Sequence, residues 1–330
     1  MPRRQWALAA FAVLLAVAIV ATLVGVRGAL HSMAPTPAKH GPRITLHHNG
    51  QIVMGVDNKL VAIDPTTGEL HTILSAPADA RVADPAYSQD GTELAYFMGP
   101  AVTGGYGGTG GAGWASSIWV LDTATGHTAQ LISCPYECDE FSGLSWSPDG
   151  SRLVFSVADY ASNTAQLDLV DSSGAHLTQL THLSSIRYAW QPSWSPDGTL
   201  IAFATRSSGG IGFIKPDGSG LVVRSIGAGN LAAWDPTWSP DGSRIAYVHD
   251  PVGAGGYELW SMDPDGSHRT QIFTTSSCCM TFLGGPAWSP DGTLIATVTF
   301  NTLWVMNADG SNVKSLGAIS NDRPAWQPVA

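Results

Sequence analysis

Apolar residues in this chain gather in short runs broken by turn-forming residues, and the arrangement repeats. Leu200-Ile-Ala-Phe203, Arg244-Ile-Ala-Tyr247 and Leu294-Ile-Ala-Thr297 are nearly continuous apolar stretches of strand length. A half-exposed strand would alternate, so these are predicted as strands covered on both faces. Each follows a tight polar turn that is preceded by an aromatic residue. The phrase occurs five times, as Tyr87-Ser-Gln-Asp-Gly91, Trp146-Ser-Pro-Asp-Gly150, Trp194-Ser-Pro-Asp-Gly198, Trp238-Ser-Pro-Asp-Gly242 and Trp288-Ser-Pro-Asp-Gly292. A shortened copy, Pro324-Ala-Trp326-Gln-Pro328, stands near the C-terminal end. In Trp194-Ser-Pro-Asp-Gly198, Pro196 presets φ at the first corner, Asp197 can bond its own backbone, and Gly198 supplies a positive φ. Strand, turn, strand is the predicted unit.

A second hairpin recurs after each phrase. Its copies are Leu121-Asp-Thr-Ala-Thr-Gly126, Val170-Asp-Ser-Ser-Gly174, Ile214-Lys-Pro-Asp-Gly218, Met262-Asp-Pro-Asp-Gly266 and Met306-Asn-Ala-Asp-Gly310. Another copy, Ile63-Asp-Pro-Thr-Thr-Gly68, precedes every aromatic phrase. The N-terminal end therefore has a second hairpin without a first strand, and the C-terminal end has a first strand without a second hairpin. Joined, they complete one four-stranded unit from both ends of the chain. Self-similarity at a period of roughly 40–60 residues marks a repeat architecture. Six units close a ring and remove the exposed edges of an open array.

The pattern Pro-x-Trp-Ser-Pro-Asp-Gly-x-x-Ile-Ala-Phe resembles the TolB-type β-propeller repeat, also found in the propellers of prolyl-oligopeptidase-like proteins. The resemblance covers about residues 44–330. It implies an all-β, six-bladed propeller of four-stranded blades with the aromatic phrase on each innermost strand. It implies little about activity, because a repeated scaffold says where a site lies more readily than what it does.

Composition agrees with a many-turned all-β protein: 37 Gly and 21 Pro in 330 residues, with 13% charged residues. That charged fraction is well below the roughly 25% of ordinary soluble domains. Trp6 to Val26 carries no charge and would span about 31 Å as a helix, close to a ~30 Å hydrocarbon core. Arg3 and Arg4 precede it. The run exceeds the h-region of a cleaved signal peptide, so residues 6–27 are expected as an uncleaved signal anchor with the N-terminus inside. Residues 1–5 are then cytoplasmic, 28–43 form a tether with Pro35, Pro37 and Pro42, and 44–330 form the propeller outside, periplasmic or at the cell surface. The net charge is −10, and no acid occurs before residue 44. An acidic ectodomain repels nucleic acid, which is excluded as a partner.

Four cysteines outside the expected anchor point to disulfides. Cys134 and Cys138 share one interblade loop and Cys278 and Cys279 another, on opposite sides of the ring. Cys134–Cys138 is the plain pairing. A Cys278–Cys279 bridge would be strained, and strained bridges are easier to reduce. A soft-metal site of all four needs distant loops to meet and lacks the Cys-x-x-Cys spacing. No metal and no cofactor are expected.

Both turn families fall on one face of the ring and, being short and uniform, read as structural. The other connections are variable, among them Gly99-Pro-Ala-Val-Thr-Gly-Gly-Tyr-Gly-Gly-Thr-Gly-Gly-Ala-Gly113, which has no phosphate-loop ending. Residues just before each aromatic phrase should ring the channel mouth on that variable face: Asp84, Ser142, Gln191, Asp235, Gly285 and Arg323. Asp84 and Arg323 are placed to pair across the ring seam. Trp190 and Trp234, beside Tyr188, would form an aromatic patch for a partner if exposed, and core if packed between blades.

No Gly-x-Ser-x-Gly elbow is present, and the ten His show no ligand spacing. The leading expectation is a non-catalytic, membrane-tethered propeller that binds a protein or cell-envelope component through Asp84, Tyr188, Trp190, Gln191, Trp234, Asp235 and Arg323. The alternatives are a glycan or peptide hydrolase or lyase, using Asp84, Asp235 and Arg323 at the channel mouth, and a redox-responsive sensor built on Cys278–Cys279. Opposite blades set Asp84 and Asp235 on opposite walls, which argues against a catalytic carboxylate pair.

Overall fold

A computed structural model of the chain describes residues 48–100, 117–133, 140–159, 162–182, 188–205, 209–226, 232–250, 257–274, 283–320 and 322–329. Among the described residues, 24 strands form six antiparallel four-stranded sheets. Blade 1 joins the two ends of the propeller. It contains β1 (His48–Val56), β2 (Lys59–Ile63) and β3 (Leu70–Ser75), with β24 (Ala325–Val329) as its innermost strand. Blade 2 follows as β4 (Ala80–Tyr87), β5 (Glu93–Pro100), β6 (Ser117–Asp122) and β7 (Thr128–Ser133). Blade 3 is β8 (Glu140–Trp146), β9 (Arg152–Asp159), β10 (Thr164–Asp171) and β11 (Thr178–Gln179). Blade 4 is β12 (Trp190–Trp194), β13 (Ile201–Thr205), β14 (Gly210–Ile214) and β15 (Val222–Ser225). Blade 5 is β16 (Ala232–Trp238), β17 (Ile245–Asp250), β18 (Glu258–Met262) and β19 (Thr270–Thr274). Blade 6 is β20 (Leu283–Trp288), β21 (Leu294–Thr299), β22 (Thr302–Asn307) and β23 (Lys314–Ala318). The expected six-bladed ring, closed by both ends of the sequence, is what forms.

The repeated phrase does three jobs. Its Ser and Asp lock the turn: Ser195 Oγ–H donates to Asp197 Oδ1 at 2.6 Å, and Thr199 N–H donates to the same carboxylate oxygen at 3.0 Å. Leu200 N–H, entering the next strand, donates to Ser195 Oγ at 2.9 Å. The same set recurs around Ser88, Ser147, Ser239 and Ser289. Its Gly takes the positive φ of the corner, as Gly198 does at 75°. Its Trp joins blades. The indole N–H of Trp146, Trp238, Trp288 and Trp326 donates to Ala86, Ser193, Thr237 and Ala287 O, on the inner strand of the preceding blade, at 3.0–3.3 Å. Trp194 departs from this, with its Nε1 buried and without a hydrogen-bond partner among the described residues, and with Arg152 stacked over its ring 5.1 Å from the centroid.

The core lies between blades rather than at one centre. Ile201, Ala202 and Phe203 are wholly buried, as the apolar run of β13 requires. Alternate residues along a strand serve opposite sides: Phe203 packs with Val154 and Leu167 of blade 3, whereas Ala202 packs with Tyr247 of blade 5. Close packing shows at Gly212, where an added Cβ would meet the Phe203 ring at 2.3 Å. Among the described residues no helix is long and apolar enough to cross a membrane. The expected anchor at 6–27 and the tether at 28–43 lie outside the described residues, as do Cys134, Cys138, Cys278, Cys279 and residues 101–113 of the Gly-rich connection.

Candidate functional site

Three residues before each aromatic phrase, the inner strands bulge. The register of β4, β8, β12, β16 and β20 slips there against the second strand of its blade. Asp84, Gln191 and Asp235 take φ of 49°, 53° and 48°, and Gly143 takes 61°. Left-handed backbone at three non-Gly residues costs on the order of 1–3 kcal/mol each, and something must hold it. What holds it is a set of bonds from blade to blade. Asp84 N–H donates to Asp322 Oδ1 at 3.0 Å, Gly143 N–H to Asp84 Oδ2 at 3.1 Å, and Asp235 N–H to Gln191 Oε1 at 3.1 Å. The bulges at Asp84, Gly143 and Asp235 thus turn their amides toward an acceptor on the neighbouring blade. The bulge residue of β8 is Gly143, not Ser142: the position three before Trp146 is the one that matches Asp84 and Gln191.

Asp322 was not singled out by the sequence. It is buried, and its second oxygen accepts Gly55 N–H of β1 at 2.6 Å, so one carboxylate ties blade 1 to blade 2 at the closing seam. The only sign in the sequence is an acid in the register where the other blades carry Ala83, Ser142, Trp190, Trp234 and Gly284. Burial pushes its pKa well above the ordinary carboxylate value, and the Asp84 carboxyl pushes it further, against the bonds from the Asp84 and Gly55 amides.

The expected seam pair of Asp84 with Arg323 does not form. Arg323 leaves blade 1 and passes Gly285 of blade 6 to set Nη2 2.8 Å from Asp235 Oδ1 on blade 5. The contact is an ion pair, and Asp235 Oδ1 has no hydrogen-bond donor among the described residues. Two glycines make the passage possible. A Cβ at Gly285 would lie 2.7 Å from Arg323 Nε, and one at Gly143 would lie 3.0 Å from Nη1. The guanidinium therefore stands between blades 3, 5 and 6. Burial raises the Asp235 pKa to about 6; Arg323 opposes this, and Asp84 on the far side of the ring adds to it.

An axial cavity of about 800 Å³ approaches this group. All six inner strands line it, through Tyr87, Trp146, Trp194, Trp238, Trp288 and Trp326. Its inner end reaches Asp84 and Arg323, and its wider part is framed by turn residues including Pro148, Pro196, Asp197, Pro240 and Asp241. The cavity thus opens among the repeated turns, the face the sequence assigned a structural part only. Asp197 and Asp241 face it as anions. Partial burial raises their pKa, but the Ser195 and Ser239 hydroxyls and the following amides outweigh it and hold both below the ordinary value.

The aromatic patch is built differently from the exposed platform the sequence allowed. Trp234 is half-buried and packs on Val248, Leu259 and Ile295 between blades 5 and 6. Trp190 is half-buried and stacked on Tyr188, with centroids 6.3 Å apart, and its indole N–H is buried without a partner among the described residues. No cluster of metal ligands occurs among the described residues.

With this geometry in hand, comparison with known proteins is informative. The family model of the TolB beta propeller domain, PD40, matches residues 59–330. The chain belongs to this family. Among solved structures, this TolB-family propeller is similar to TolB of Acinetobacter baumannii, at 23% identity and a TM-score of 0.66, over 85% of this chain and 67% of that one. It is similar to a putative TolB of Agrobacterium tumefaciens, at 18% identity and a TM-score of 0.60, over 84% and 94% of the two chains. A chain of a nidogen/laminin complex aligns at 11% identity with a TM-score of 0.62, over 84% and 98%. In sequence, 123 residues are 33% identical to an uncharacterized peptidase, YuxL, of Bacillus subtilis, covering 36% of this chain and 16% of that protein. This TolB-family chain therefore spans only a small part of that relative's length.

Proposed function

We propose that the protein is a non-catalytic binding propeller, tethered to a membrane by residues 6–27 and placed outside the cytoplasm, that receives a segment of a partner protein in its axial cavity. The observation that carries this reading is the cavity: about 800 Å³, walled by prolines and tryptophans from all six blades. Flat, rigid rings of this kind supply large contact area at low entropic cost, as protein-binding hot spots do. The likeness to TolB structures and to a chain from a protein complex supports the class. The charge-free run from Trp6 to Val26, with Arg3 and Arg4 before it, supports the tether and its orientation.

Asp235, raised by burial to about 6 beside a guanidinium, favours an enzyme. Its geometry does not. Asp235 is buried behind Arg323 and does not line the cavity, so no substrate entering from the turn face reaches it. The test is a photo-crosslinking residue placed in the full-length protein at Gln89 or Thr199, both on the cavity wall, with Thr128 on the outer strand β7 as control. One partner polypeptide, crosslinked from both cavity positions and not from Thr128, is the expected result. Adducts from Thr128 alone would overturn the assignment of the surface, and turnover of a small substrate by the purified propeller would overturn the class.

A further inference from the structure

Six positions, each three residues before an aromatic phrase, surround the ring axis, and what they carry is unequal in size. Gly143 and Gly285 contribute nothing, and Arg323 fills the space they leave. Its guanidinium lies against blade 5 through Asp235, with Nε beside Gly285 and Nη1 beside Gly143. A side chain that starts on blade 1 and is bounded by blades 3, 5 and 6 spans the ring axis at the inner end of the cavity it helps to line. We propose that Arg323 is a gate that closes the axial channel between the cavity and the opposite face, that Asp235 is the catch that holds it shut, and that acid opens it by neutralising the catch.

The catch is suited to the task. Asp235 is 3% exposed and contacts the guanidinium without a hydrogen bond, so the hold is coulombic and vanishes when the carboxylate takes a proton. Arg323 cannot lose its own charge. Other groups facing the pair are few among the described residues. Asp84 of β4 adds negative charge from the far side, Asp322 sits one residue before Arg323 with both oxygens bonded to amides, and Gln191 of β12 is neutral. Asp84 raises the proton affinity of Asp235, which brings the release toward neutral pH rather than away from it. Asp235 is raised to about 6, so the gate is shut above that pH and released below it.

The test follows Arg323 and Asp235 together by NMR in the propeller, as the protection of the Arg323 Nε–H against solvent exchange, relative to free arginine at the same pH, and the Asp235 carboxyl carbon shift. Protection should fall at least tenfold between pH 7.5 and 5, with the same midpoint as the Asp235 titration. Two variants separate a gate from a static packing contact. Asp235→Asn should leave the Arg323 Nε–H unprotected throughout. Gly285→Ala, at a position whose φ is not in the left-handed region, would set a methyl 2.7 Å from Arg323 Nε and 2.9 Å from Asp235 Cγ, and should part the two side chains without removing either charge. It should therefore raise the Asp235 midpoint and abolish protection at pH 7.5. Protection that stays constant while Asp235 titrates would overturn the proposal, as would an Asp235 midpoint that Gly285→Ala does not move.

Discussion

At the scale of single residues, the aspartates divide into two populations with opposite dependence on pH. Turn aspartates are ionised and bonded. Asp64 is drawn down to about 2 by the Thr66 hydroxyl and the Thr67 and Thr66 amides, and Asp122, Asp149, Asp197, Asp217, Asp241, Asp263, Asp265, Asp291 and Asp309 are also held below 3.8. A lowered carboxyl contributes stability that is complete above its unfolded pKa and is lost as pH falls through its folded one. Asp235 runs the other way. Raised from 3.8 to about 6, it contributes fully below 3.8 and loses that contribution as pH rises to about 6. Burial raises Asp168 to about 6 as well, and Asp322 is shifted in the same direction. The melting temperature should therefore rise from pH 2 to about 4 and fall again toward pH 6, and thermal melts across that range check it. A melting temperature that climbs steadily to pH 7 would show that these buried carboxyls do not shape the profile.

The element that decides closure is β24, five residues long, held by Trp326. The ring of Trp326 packs with Ile52 and Met54 of β1 and with Val298, Leu303 and Val305 of blade 6, and its N–H reaches Ala287 O. Trp326→Ala removes a large buried ring and one hydrogen bond, and should destabilise the propeller by about 3–5 kcal/mol in denaturant titrations. Trp194→Ala makes the comparison, since its indole N–H has no bond to lose and the cost should be about 1 kcal/mol less. Equal costs would mean that the interblade bond of the repeated Trp adds nothing. This level of the architecture was legible in the sequence. The phrase around Trp194 names its strand, its turn and its place on the inner edge, and the unmatched hairpin at Ile63 with the unmatched strand at Trp326 announces how the ring closes. The mouth was legible only as a set of positions. Which residue pairs with which depends on the volume left by Gly143 and Gly285 from other blades, and no local pattern around Arg323 records that volume. The register of β8 was misplaced by one residue for a related reason. Ser142 and Gly143 both suit a bulge, and only the count back from Trp146 decides.

For the molecule as a whole, the charge of the cavity determines the partner that the proposed function requires. Among the described residues lining it, Asp84, Asp197 and Asp241 oppose Arg323 alone, and Arg323 is already paired with Asp235. The rest of the wall is mainly proline, aromatic, hydroxyl and small apolar side chains. A partner segment that fits is cationic at its flanks and apolar or proline-bearing between them. Its association should be steered by charge and weakened by salt, because at ~0.5 M the screening length shrinks to about 4 Å. Binding of the crosslinked partner, measured with the purified propeller, should weaken at least tenfold between 0.05 and 0.5 M salt, mainly through a slower association rate. Replacing both Asp197 and Asp241 with Asn isolates the cause. An Asn side chain keeps the oxygen that accepts Ser195 and Thr199, or Ser239 and Ser243, so the turns stay locked while two charges leave the rim. That variant should melt within a few degrees of the parent, bind several-fold more weakly at low salt, and lose most of its salt dependence. If salt leaves the parent's binding unchanged, the partner is held by the proline and tryptophan walls alone, and the acidic rim serves only the turns.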